Sequence, residues 1–474
     1  MKVFIIGILI LLVSCGSKNS GPKTKKIIEN SYGEPVIAQL FDKECDENHS
    51  LSSLGYMDVF YKQSGMERSE RFDFSDYQGN PLSGKFVKKI YHSGQYVNRF
   101  RYNPTLNIAI PESSRVVQKS QPLYICGDDG SYPRDSIEAS ALSALLSLEK
   151  SYQFYIDSTN DSSLPSINLN INERYVKELI YKENDNEIYI ISTDLVDNAT
   201  YSFEDKSISF YPQNKENPIF GNSPAWRIPF ITSHEMGHHV LNYYIPVDDF
   251  FSIKVMEQYI KHSTQLAGHC GNFSFDKISV EEMDPQTEGI VKILLAYHEA
   301  FADIFAYLSL GSNYNTLIGV NCMHRSRDVD SNTFEDYTEK KLSYAVVESY
   351  LKPVSVKDLT IKKSCSTPNF TDPHDVGAVV AHTMGAMLKL GNIMTAADKL
   401  RVMINWVKLV KVKFPIMMLM SPKEYLKETI KMFFEVLNNY SALNENHCAY
   451  IDQAFAGLNY VTTYSEATGE CSVK

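Results

Sequence analysis

Pro229 stands where a helix can begin, and behind it an apolar pattern runs from Phe230 through Val240 and Leu241 and stops before Pro246. Inside that stretch lies His234-Glu235-Met236-Gly237-His238. A spacing of four sets both imidazoles on one helix face. Ile228, Ile231, Val240 and Leu241 flank the motif with apolar residues and direct this helix to the core. His-Glu-x-x-His on a helix is the pattern by which two histidines hold a metal ion. The carboxylate between them, here Glu235, falls one residue round, where it can act as a base without being a ligand.

Two histidines do not complete a catalytic zinc site, which takes three protein ligands and keeps one position open. A metzincin-type extension would need Gly and His where Leu241 and Tyr244 stand, so that arrangement is excluded. The better source is Tyr297-His298-Glu299-Ala300-Phe301-Ala302-Asp303-Ile304-Phe305, which reads as helix. Glu299 and Asp303 share a face at spacing four. That suits a ligating carboxylate followed by an acid that takes the second N–H of a ligating histidine. Glu-x-x-x-Asp alone is commonplace on a solvated edge; the apolar residues around it and the first motif favour the metal reading.

These segments resemble the thermolysin-like zinc metallopeptidases, the gluzincins, whose Asn-Glu-Ala-x-x-Asp helix supplies the third ligand. Asn198-Ala199-Thr200-Tyr201, with the strand pattern at 207–211, looks like the family's edge strand that pairs with substrate backbone. Tyr152-Gln153-Phe154-Tyr155 looks like the end of the helix preceding it, and Asp372-Pro373-His374-Asp375-Val376-Gly377 resembles the segment with the transition-state histidine. The likeness covers roughly residues 135–390. It implies Zn2+ held by His234, His238 and Glu299, with Glu235 as general base and His374 donating to the oxyanion. It further implies Asp303 and Asp372 in supporting contacts, Asn198 and Ala199 on a peptide or protein substrate, and endopeptidase activity. Arg325 or Arg327 would hold a substrate carbonyl, or both are surface arginines.

The chain departs from the family at several points. His298 replaces the Asn before the third ligand, His374 and Gly377 are one residue closer together than in thermolysin, and 61 residues separate His238 from Glu299. His239 and His382 have no assigned role and read as structural histidines.

At the N-terminus Lys2 precedes an apolar run from Val3 to Val13, too short to span a bilayer, where a helix needs about 20 residues. Leu12-Val13-Ser14-Cys15 resembles the lipobox of bacterial lipoproteins. The resemblance implies cleavage before Cys15, lipid on its sulfur, and a place at the bacterial cell envelope, on the periplasmic or cell-surface side of the outer membrane. The alternative is a buried N-terminal element with an incidental cysteine.

The rest reads as an α+β plan: signal 1–14, tether 15–32, a β-rich region 33–132, a mixed α/β lobe 133–245 with the His-Glu-x-x-His helix, and an all-α lobe 246–474. The family resemblance casts the last two as a two-lobe fold with the active-site helix between them. Strand patterns lie at 59–61, 86–91, 107–111, 167–169, 187–191 and 207–211. A long helix opens after Asp135, and later helices fall at 288–310, 341–351, 376–390, 396–412, 423–439 and 448–456. With 46 Lys and Arg against 57 Asp and Glu, a net −11 and no Lys/Arg-clustered segment to offset it, nucleic acid is not a partner. Of the eight cysteines, seven remain if Cys15 is acylated, so at most three bridges form and the pairing stays open. A second functional reading is a catalytically silent lipoprotein that keeps zinc for stability and holds a cell-envelope partner. Glu235 weighs against it, because a closed structural site takes four protein ligands.

Overall fold

The computed structural model describes residues 56–63, 66–73, 83–92, 95–103, 108–118, 121–122, 137–171, 176–184, 187–195, 199–202, 206–211, 213, 224–246, 285–311, 329, 351, 373–390, 393, 395–417, 419–455 and 458–474. Among these it is a mixed α/β protein with thirteen strands and seven α-helices. Strands β1 (Tyr56–Gln63) and β2 (Met66–Asp73) form a hairpin. Next come β3 (Val87–His92), β4 (Gln95–Asn103), β5 (Ile108–Gln118), β6 (Gln121–Pro122), helix α1 (Ile137–Thr159), β7 (Ile167–Ile171), β8 (Val176–Asn184), β9 (Glu187–Leu195), β10 (Ala199–Ser202) and β11 (Ser207–Phe210).

Two sheets interleave these strands. One has the order β5-β4-β8-β9; the other runs β10-β11-β7-β3-β6, parallel through β11, β7 and β3 and antiparallel at both ends. β3 and β4 come from the region assigned to 33–132, yet β3 pairs with β7 and β4 with β8. Both sheets are therefore built across the 132/133 boundary. Ile90, Leu169, Ile208 and Phe210 are fully buried, which fits strands covered by helix.

α1 provides that cover. Leu142, Leu145, Leu148, Tyr152 and Tyr155 recur at helical spacing and are buried, and Tyr152 stacks on Phe86 with ring centroids 4.2 Å apart. Glu149 accepts the Phe86 and Val87 backbone N–H groups at 2.9 and 3.0 Å, fastening the helix to the start of β3. Burial nonetheless raises its carboxyl above the usual range. On the same helix Ser151 Oγ meets Ser233 Oγ of the next helix at 2.7 Å, so α1 joins the sheet to the helical half.

That half comprises α2 (Pro229–Tyr244), α3 (Pro285–Leu310), α4 (Pro373–Leu390), α5 (Ala396–Met417), α6 (Pro422–Tyr440) and α7 (Glu445–Ala454). The pattern at 341–351 lies outside the described residues except Leu351. Trp406 anchors the interior, edge-on to Tyr297 of α3 and Phe433 of α6, with its indole N–H donating to Thr429 O at 2.8 Å. α5 runs past its expected end at 412 and carries Pro415. There the inward positions Phe414 and Met417 stay buried, so packing outweighs the one hydrogen bond proline forfeits. Ser421 and Glu424 close a capping box on α6, with Pro422 at its first position. The Gly289–Leu310 stretch of α3 is long and apolar enough to cross a membrane, but most of it is buried inside the fold, as a core helix is.

The C-terminal lobe is not all-α, contrary to the sequence expectation. β12 (Thr462–Ser465) and β13 (Glu470–Val473) form an antiparallel hairpin whose turn uses Gly469 at φ +68°. Two four-residue strands leave too short an alternation to register as a pattern. Cys448 on α7 and Cys471 on β13 form a disulfide 23 residues apart in sequence, which staples the hairpin to the helix. Replacing both by serine is expected to lower stability by about 2–4 kcal/mol, measured as a fall in the denaturant midpoint.

Candidate metal centre

α2 starts at Pro229, the first helical position, where the missing N–H costs nothing. Every residue from Pro229 to Leu241 is buried, so its histidines and its acid lie in the interior. α3 crosses it, and the crossing is closed by two small residues. A Cβ added at Gly237 would lie 2.6 Å from Ala302 Cα, so the two backbones are in contact there. Against α4, a Cβ at Gly377 would lie 2.4 Å from Glu299 Cβ and 2.9 Å from Ala296 O. α3 thus meets a glycine of each neighbouring helix, at Ala302 and at Glu299.

This packing brings the predicted ligands together. His234 Nε2 and His238 Nε2 are 3.1 Å apart; His234 Nε2 is 3.3 Å from Glu299 Oε2, and His238 Nε2 is 3.6 Å from Glu299 Oε1. Asp303, one turn after Glu299 and fully buried, has its Oδ1 2.9 Å from Nδ1 of His234. A carboxylate beside Nδ1 favours a proton there, which leaves the lone pair on Nε2, the atom 3.3 Å from Glu299 Oε2. Acceptor atoms packed this closely away from water repel one another unless a cation lies between them. The donor set of two imidazoles and a carboxylate therefore fits a metal ion, and His234, His238 and Glu299 could hold one.

Glu235 is 2% exposed and follows His234 directly in the same turn of α2. His298, the residue before Glu299, is buried and stacks on His238 with ring centroids 5.7 Å apart. Burial pushes its pKa down to about 4, against the opposing pull of Glu299, so this ring packs as a neutral plate. His239, read from the sequence as a structural histidine, is one. Its Nε2–H donates to Pro165 O at 2.7 Å and its Nδ1 accepts from Tyr201 OH at 2.9 Å, which ties α2 to β10. Burial, with a smaller push from Lys206, lowers it to about 4 and keeps it in that neutral form. His382 is structural as well, its pKa lowered by burial while its ring bonds the Val329 backbone.

Ala199 opens β10, which ends the five-stranded sheet and pairs antiparallel with β11. His374 lies in the first turn of α4, three residues before Gly377, but its side chain is outside the described residues, as are Cys15, Asn198, Arg325, Arg327 and Asp372. The two glycines are also functional positions the motif reading passed over. Glycine inside a helix costs about 1 kcal/mol against alanine, so its presence at a helix crossing was the available signal. No family model matches the chain, and no curated protein is significantly similar to it in sequence. What the centre does must be read from its own geometry.

The geometry separates the side chains by effect. His234→Ala or Glu299→Ala is expected to abolish metal retention through dialysis. Asp303→Ala should weaken affinity about 10–100-fold, measured by chelator competition. Gly237→Ala and Gly377→Ala, neither a ligand, should also lose metal while far-UV circular dichroism stays native, because each forces α3 away from its neighbour.

Proposed function

We propose that this chain is a zinc endopeptidase of the thermolysin-like kind, lipid-anchored through Cys15 at the bacterial cell envelope. The observation that carries the reading is the buried cluster of His234, His238 and Glu299, oriented by Asp303, with Glu235 in the same helical turn. Zinc binds imidazole and carboxylate at about 2.0–2.2 Å, so three corners of a tetrahedron lie about 3.3–3.6 Å apart. The ligand atoms here are separated by 3.1–3.6 Å. Three protein ligands rather than four, none of them cysteine, is the composition of a catalytic site.

Bound there, zinc would lower the pKa of a coordinated water toward about 7 and polarise the scissile carbonyl. Glu235 takes the proton of the attacking water and delivers it to the leaving amine. Asp303 holds the His234 ring in one orientation. His374, supported by Asp372, donates to the carbonyl oxygen as it gains charge, a contact of the kind worth about 2.7–4 kcal/mol. β10, led in by Asn198 and Ala199, offers backbone N–H and C=O groups to an extended peptide, and Arg325 holds a substrate carbonyl. The His239–Tyr201 bond keeps that strand at a fixed distance from the helix carrying the base.

The full chain loaded with zinc and given a mixed peptide library is expected to make internal cuts before bulky apolar residues. A chelator should abolish them. Glu235→Gln should keep its zinc and lose turnover by about 10²–10⁴-fold. An intact library with full zinc occupancy in both proteins would instead establish the silent, zinc-holding lipoprotein.

A further inference from the structure

The turn between α5 and α6 leaves apolar surface in water. Val412 is 76% exposed, Ile416 67% and Leu419 84%, whereas Phe414 and Met417 on the inward side of the same helix end are buried. Val412 and Ile416 stand one turn apart on one face. The Leu419 N–H donates to Ile416 O at 3.2 Å and folds Leu419 over the end of the helix. Scattered exposed aliphatics are ordinary. Three at one convex tip form a patch.

The charge around the tip runs against the rest of the protein. The chain is −11, yet residues 411–427, the turn with the helix ends that meet there, hold four Lys against one Glu, so the absence of a basic cluster inferred from the whole-chain count does not hold here. Lys411 is exposed beside Val412, and Lys413 meets Glu435 only at 3.8 Å with both side chains nearly half exposed. Lys423 opens the facing helix. Aliphatic tips with lysines behind them match the boundary of a bilayer, where side chains enter the acyl region while ammonium groups stay at the phosphates. Nucleic acid would find phosphate partners here but nothing to stack on, since among the described residues no aromatic ring protrudes with the lysines at the tip.

We propose that the α5–α6 tip is a contact site for anionic phospholipid bilayers, with Val412, Ile416 and Leu419 as the inserting residues and Lys411 and Lys423 as the headgroup contacts. The site is independent of the peptidase reading and of any lipid on Cys15. Leu419→Trp in the full chain adds a third tryptophan to a protein with two, one of which, Trp406, is buried. Mixed with phosphatidylglycerol/phosphatidylcholine vesicles carrying brominated acyl chains, the added tryptophan is expected to shift to the blue and lose emission relative to the parent. The loss should shrink in high salt, in vesicles of phosphatidylcholine alone, and with Lys411→Glu plus Lys423→Glu. Val412→Trp, at a second exposed site, should behave alike. Quenching no greater than the parent's in either variant overturns the proposal. So does equal quenching without phosphatidylglycerol, or a concentration-dependent dimer in sedimentation that Ile416→Asp dissolves.

Discussion

The structure turns on a close approach of three helix backbones. α2 and α3 touch at Gly237 and Ala302, α3 and α4 at Glu299 and Gly377, and only that spacing lets two imidazoles and a carboxylate converge within hydrogen-bonding distances. The convergence is unfavourable by itself, because it gathers lone pairs where water cannot reach them. It is held by the apolar packing around it: Met236 and Val240 on α2, Phe301 and Phe305 on α3, and Val379 and Val380 on α4 are all buried. The core thus presses together groups that could hold a metal ion, and folding energy would then be converted into ligand preorganisation.

Much of this arrangement was legible in the residue order. Four-residue spacing placed His234 with His238 and Glu299 with Asp303, since a helix fixes neighbours at that interval. The partner of each pair was less visible. That Asp303 would face His234, rather than His238, depends on how α3 lies across α2, which no local pattern encodes. His239 was read as structural, but its partners were hidden for a similar reason. Its two hydrogen bonds reach 38 residues back to Tyr201 and 74 back to Pro165. Helices read well because their burial stripes are long, as in α1 and α6; the hairpin at 462–473 did not, being short, half exposed and fixed by a disulfide. Whole-chain charge likewise hid a local excess of lysine at the α5–α6 turn.

Among the polar contacts that join the sheet side to the helical side, three are buried at both ends. Ser151 meets Ser233 between α1 and α2, Tyr155 OH meets Tyr244 OH at 2.6 Å, and Tyr201 meets His239 between β10 and α2. All three engage α2, the helix that carries the His-Glu-x-x-His motif. Burial holds both tyrosine hydroxyls of the Tyr155–Tyr244 pair protonated far above neutral pH, so these links do not titrate where the protein works. A rigid sheet is in this way referenced to a rigid helix.

The pairing of β3 with β7 bears on how the chain is assembled. Val87 aligns with Ile167 and His92 with Ile171, in parallel, and β3 sits inside its sheet between β7 and β6. Parallel partners must be brought together over the whole intervening length, which makes such pairings slow. A chain growing from its N-terminus therefore carries an apolar strand, Val87 and Ile90 included, that has only the two-residue β6 beside its end until the residues around 170 have emerged. During that interval the strand is open to the wrong edge, its own or another molecule's. The same geometry makes the early region inseparable from the rest: removing residues before 93 after folding would pull an interior strand from the sheet on which α1, and through it α2, is seated.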